Sequence, residues 1–117
     1  MKKELRVLFV AMPDIGHVCD DFKKADVILE TANSLQLTLD KLREGDYHLI
    51  VTNAVVEGGS SSEIKDFLDE EEKDIPIVGV STDLVPRKMM IADGFIRAVR
   101  FEEAPATIIA QLEQLSK

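Results

Sequence analysis

"HLIVTNAVVEGGSSS", residues 48–62, decides the fold. Leu49, Ile50 and Val51 form a short continuous apolar run that stops at Thr52 and Asn53. A run without polar alternation fits a strand covered on both faces. Gly58, Gly59 and three serines turn the chain, and Ile64, Phe67 and Leu68 then fall at helical spacing. Ser60 and Glu63 have the capping-box spacing for that helix. The strand therefore ends in an amide, Asn53, which is neither a useful acid or base nor a nucleophile.

The same alternation extends outward in both directions. Apolar runs at 5–10, 27–29, 75–80 and 95–99 read as four more strands. Ile15, Val18, Cys19 and Phe22 lie at i, i+3, i+4 and i+7, a helical stripe. Ser34 can cap a helix with Leu35, Leu39 and Leu42 inside and Gly45 at its stop. Met89, Met90 and Ile91 belong to another helix, stopped by Gly94. Pro105 suits a first helical turn, followed by Ile108, Ile109, Leu112 and Leu115. Strand and helix thus alternate five times. That order predicts an α/β fold, a doubly wound five-stranded parallel sheet between two helical layers, as one domain over residues 1–117.

Composition narrows the function. Fourteen basic side chains against 22 acidic ones leave a net charge of −8. A phosphate backbone requires a positive face, so nucleic acid is disfavoured as a partner. The start of the chain is basic and then apolar, but its apolar run is short and reads as a strand. With no membrane-length apolar run either, the expectation is a cytoplasmic protein with no membrane partner. Cys19 is the only cysteine, which suits a reducing compartment. His17, Cys19 and His48 are too scattered for a zinc site, and no metal or cofactor is expected.

Ligands of open parallel sheets gather at the carboxyl ends of the strands. The ends here are Ala11-Met12-Pro13-Asp14, Thr52-Asn53, Gly79-Val80-Ser81-Thr82 and Val99-Arg100-Phe101. With "YHLIVTN", "IPIVGVST" and "ADGFIRAVR" as third, fourth and fifth strands, the whole chain resembles the receiver domain of bacterial response regulators in two-component systems. The resemblance implies the flavodoxin-like strand order 2-1-3-4-5. It also implies a pocket in which two acidic residues hold magnesium and an aspartate accepts a phosphoryl group. Those positions fall on Ala11 and Met12, and on Asn53. The hydroxyl position falls on Ser81 and the lysine position near Arg100. Ala11 and Met12 lack the oxygens a hard cation needs. An amide lacks the attacking carboxylate. The chain therefore resembles the degenerate pseudo-receivers, which implies a phosphorylation-independent protein-interaction module with no enzymatic activity. Asn53, Ser81 and Arg100 are expected to bond to one another in a vestigial pocket. The partner face of this family implies Arg87, Lys88, Met90, Phe95, Arg97 and Arg100 as contacts with a signalling or regulatory protein, and a homodimer stays open.

Other readings attach to the same ends. Asn53, Gly58, Gly59 and Ser81 could serve a nucleotide or phosphometabolite, although "GGSSS" lacks the lysine of a P-loop. It reads rather as a flexible, self-capping loop. Asp14 is the one carboxylate placed for phosphotransfer, and a capping role suits it better. "PDIGHVCD" bears short likenesses to glycosyltransferase and cobalamin motifs, with the wrong size or spacing for either. Cys19 lies on an apolar stripe and reads as a buried hydrophobe.

Overall fold

The structure, a computed structural model, describes residues 3–12 and 15–117. Five parallel strands form its main sheet: β1 (Lys3–Val10), β2 (Ala25–Ala32), β3 (Leu49–Asn53), β4 (Ile77–Val80) and β5 (Arg97–Val99). Their order is 2-1-3-4-5, as the resemblance implied. The helices are α1 (Leu35–Glu44), α2 (Ser61–Glu70), α3 (Leu84–Ala92) and α4 (Ala104–Leu115). A short 3-10 helix, Gly16–Asp21, stands where a longer first helix was expected.

Period-2 alternation along the central strands divides the core. Leu5, Val7 and Phe9 of β1 face α4 and the 3-10 helix, together with Ile108 and Leu112. Leu8 and Val10 face the opposite layer, with Leu42, Ile64, Leu68 and Met90. Leu49, Ile50 and Val51 of β3 are fully buried, which explains their continuous apolar run. The edge strand β2 is longer than the apolar run at 27–29 suggested. Its polar residues Asp26, Glu30 and Thr31 extend the strand because an edge leaves them solvent.

Local signals place the helix ends. Ser34 Oγ accepts from the Leu37 N–H at 3.2 Å, and Gly45 closes α1 on the Lys41 carbonyl. Gly94, at φ 103°, follows α3 in the left-handed conformation that glycine adopts without strain. Pro105 occupies the first turn of α4. Ser60 does stand at the N-terminus of α2, but its hydroxyl pairs with Ser62 Oγ at 2.8 Å instead of closing a capping box. The "GGSSS" segment is no flexible loop. Gly59–Ser60 pairs antiparallel with Val55–Val56, and the Glu57 carbonyl accepts from the Leu35 N–H at 2.8 Å. A Cβ on Gly59 would meet Leu35 Cδ2 at 2.7 Å, so glycine lets this ribbon lie against α1.

Gly79 sits inside β4 beneath Met90 and Phe95. A Cβ there would stand 2.2 Å from Met90 Sδ and 3.0 Å from Phe95 Cδ2. Both side chains are buried and have no room to retreat. Gly79→Ala is expected to destabilise the fold by about 1–3 kcal/mol through overpacking, read from urea unfolding midpoints.

At the flank of α1, Glu30 gathers Arg6 Nη2 at 2.5 Å, Tyr47 Oη at 3.0 Å and Lys41 Nζ at 3.4 Å. The hydrogen bond from Arg6 is the main cause holding the Glu30 carboxyl below its ordinary range. Burial, and then the bond to Glu30, push the Tyr47 phenol up to about 12. A depressed folded-state value adds stability above the unfolded carboxyl pKa of about 4.3, lost as pH falls through the folded value. Unfolding midpoints of the wild type should therefore drop more steeply below about pH 4.3 than those of Glu30→Gln.

Candidate functional site

Register brings the strand ends together. Val10 pairs with Thr52, Thr52 with Gly79, Asn53 with Val80 and Val80 with Val99. Ala11, Asn53, Ser81 and Arg100 therefore lie along one rim of the sheet. A shallow cleft of about 290 Å³ opens there, lined by Asn53, Val55, Val80, Ser81, Thr82 and Phe101 among others. Among the described residues no carboxylate lines it. Among the described residues no group of three or more His, Cys, Asp or Glu side chains is placed to hold a metal ion.

Ala11 is the most constrained point of the rim. Its φ is 55°, in the left-handed region that costs a residue with a Cβ about 1–2 kcal/mol. Its N–H continues the sheet by donating to the Ala32 carbonyl at 2.8 Å. Its carbonyl accepts a hydrogen bond from Asn53 Nδ2. A carbonyl can only accept, so the nitrogen of the amide must face it. Asn53 thus ties the end of β3 to the end of β1. Met12 turns inward and is buried against Ile15 and Val51 in the core under α4. An acidic residue at Met12 would be a buried charge in an apolar layer.

The expected bonding among Asn53, Ser81 and Arg100 is corrected by the structure. Asn53 is spent on Ala11. Ser81 Oγ accepts from the Asp83 N–H at 3.2 Å. The Arg100 N–H donates to Glu103 Oε1 at 3.0 Å, opening the 3-10 turn Phe101–Glu103, and the Arg100 side chain is exposed. No hydrogen bond joins the three among the described residues. Asp14 lies outside the described residues.

Arg87 clamps the neighbouring loop. Its Nη1 donates to the carbonyls of Ser81 and Thr82, both at 2.9 Å. The loop between β4 and α3 is held by a charged donor, as Ala11 at the end of β1 is held by an amide. Arg87 therefore serves the rim through Nη1, while the residue stays partly exposed.

Two partner assignments are corrected. Met90 and Phe95 are 2% and 4% exposed, because they fill the space above Gly79. Lys88 and Arg97 are exposed, as a contact role requires. Leu84, Val85, Met89 and Ile91, outside the contact set the resemblance implied, are each more than half exposed. Leu84, Val85, Lys88, Met89 and Ala92 form one outward stripe of α3, by i, i+4 spacing. Ile96, before β5, and Phe101, after it, are 44% and 46% exposed. Gly79 was the available signal, since a glycine in a buried strand demands a large residue above it. It could not choose between Met89 and Met90.

No family model matches the chain, and no curated protein matches it. Solved structures do. The receiver domain of the Francisella response regulator 1452 superposes with a TM-score of 0.77 at 12% identity, over 96% of both chains. The beryllofluoride-activated NtrC4 receiver domain dimer gives 0.75 at 16% identity, over 96% of this chain and 98% of that one. Chemotaxis response regulator CheY4 of Vibrio cholerae gives 0.74 at 18% identity, over 97% and 99%. The chain has the receiver fold, a flavodoxin-like α/β arrangement.

The Asn53–Ala11 bond has a measurable signature. Asn53→Ala should cost about 1 kcal/mol, and Asn53→Asp about 2–3 kcal/mol at neutral pH, because a carboxylate sets lone pairs against the Ala11 carbonyl. The protonated carboxyl can donate there, so folding raises its pKa. The Asn53→Asp deficit is then smallest below about pH 3.9 and reaches full size as pH rises through the higher folded-state value. Urea titrations of both variants from acid to neutral pH check this.

Proposed function

We propose that the chain is a phosphorylation-independent pseudo-receiver, a protein-interaction module in bacterial signalling or regulation. The observation that carries the reading is the hydrogen bond from the Asn53 amide to the Ala11 carbonyl. In a phosphorylatable receiver this position needs a carboxylate free to attack phosphorus, beside oxygen ligands for a divalent cation. Here the atom facing the neighbouring strand is a donor nitrogen, and the cation positions are a strained alanine and a buried methionine. Arg87 supports the same reading by fixing the loop that carries Ser81. Side chains of the domain itself thus hold both the end of β1 and the loop after β4. Solved neighbours of this fold are response regulators, which favours a signalling partner.

The surface left to carry the message is the outward stripe of α3 with the exposed residues around β5. Lys88, Met89 and Arg97 offer soft apolar area beside positive charge in a chain of net charge −8. Methionine adapts to irregular partner surfaces, and arginine is enriched at interface hot spots.

Two measurements test the proposal. Acetyl phosphate or beryllofluoride with Mg²⁺ should add no phosphoryl group and shift no resonance at the strand ends, in the wild type or in Asn53→Asp. A phosphorylated species from either protein would overturn it. A partner captured from the host should bind Met89→Glu at least tenfold more weakly, while the unfolding free energy stays within about 0.5 kcal/mol of wild type. Unchanged binding would remove α3 from the interface. If nucleotides or phosphorylated metabolites raise the melting temperature instead, the rim is a ligand site.

A further inference from the structure

The two edges of the sheet differ. The β5 edge is only three residues long, Arg97–Val99. The β2 edge runs for eight, Ala25–Ala32, in unbroken register with β1. Long edges are normally blunted by charged side chains, lysine above all, by proline or by a bulge; β2 has no lysine, proline or bulge, and of its two charges Glu30 is paired with Arg6 and Lys41, leaving Asp26. Alternate residues of the strand turn their N–H and C=O groups away from β1.

Among the described residues the flank of this edge is only partly covered. Eight strand residues span about 26 Å. The six residues of the 3-10 helix Gly16–Asp21 span about 12 Å. Only part of the β2 face is therefore covered on that side. A groove of about 350 Å³ runs between the two, with Phe22, Ala25, Val27 and Leu29 among its walls. Leu29 is 37% exposed on this face and Ile28 is 39% exposed on the other.

We infer that β2 pairs antiparallel with β2 of a second copy of the chain, about a two-fold axis normal to the sheet at Leu29. The occupant follows from self-complementarity. In such a pair, opposed residues share a face, so only registers centred on a residue are allowed. Centring on Ile28 sets Asp26 opposite the second copy's Glu30, two like charges in contact. Centring on Leu29 sets Leu29 against Leu29, Val27 against Thr31, Ile28 against Glu30 and Asp26 against Ala32, with no like charges opposed. It also brings each Asp26 diagonally near the other copy's Glu30, at about 7–8 Å. That carboxylate is already held by Arg6 and Lys41, so Asp26 meets a local excess of positive charge.

Sedimentation velocity over a concentration series tests the contact. The wild type should be a reversible dimer, and Leu29→Lys should raise its dissociation constant at least tenfold. Thr31→Lys, at an exposed position opposed to Val27, is the second variant should Leu29→Lys fail to fold. Leu29→Cys should oxidise to a covalent dimer, because opposed Cα atoms lie within disulfide reach. Thr31→Cys, four residues from its own symmetry mate, should not. Burial pushes the Cys19 thiol up to about 11, so it does not compete. A wild type that stays monomeric to millimolar concentration overturns the inference. So does a dimer that survives Leu29→Lys and falls to Met89→Glu, which would place the second copy on α3.

Discussion

The carbonyl of Ala11 sets the terms for the rest of the rim. A left-handed residue at the end of a buried strand turns its carbonyl out of the regular ladder, and this half-buried acceptor is satisfied by a side-chain donor. Asn53, one position beyond the Val10–Thr52 pair, is the side chain that supplies the donor. Its identity follows from this geometry. A carboxylate could not donate, an alanine could not reach, and an amide does both. The side chain that ends β3 is thus the one that ties β1 and β3 together at their ends.

Much of the fold was legible because the central strands are buried on both faces. Continuous apolar runs at 49–51 and 77–80 have one physical reading, and glycine or proline marks most helix limits. Legibility failed where packing decided the matter. The stripe Ile15, Val18, Cys19 and Phe22 predicted an α-helix, and three of its residues are indeed buried. Yet the segment forms only a six-residue 3-10 helix, because helical periodicity shows which residues go inside and not how many turns connect them. At the rim, the sequence identified which residue types stand at the strand ends. It could not identify their partners, since the donor for Ala11 comes from 42 residues away.

The phase of α3 shows the same limit. Two adjacent methionines offer the helix two orientations of similar hydrophobic content. In the structure Met90 takes the space over Gly79, together with Phe95. Met89 then has no choice but solvent, with Leu84 and Val85 beside it. The exposed apolar stripe is therefore the far side of a packing solution in the core, and its chemistry was available for recognition without any cost to the buried layer.

The β2 edge and the α3 stripe lie toward opposite edges of one sheet, so the two proposed contacts would not overlap. Pairing through β2 would leave α3 and β5 at the outer ends of a ten-stranded sheet. Nine interstrand spacings of about 4.8 Å set the two outer strands about 43 Å apart, less whatever the sheet twist removes. Each α3 stripe would stay uncovered. A dimer of this form does not compete with partner binding, and it would present two identical contact faces at a fixed distance. A partner with two matching sites would then gain by effective concentration and not by any new contact.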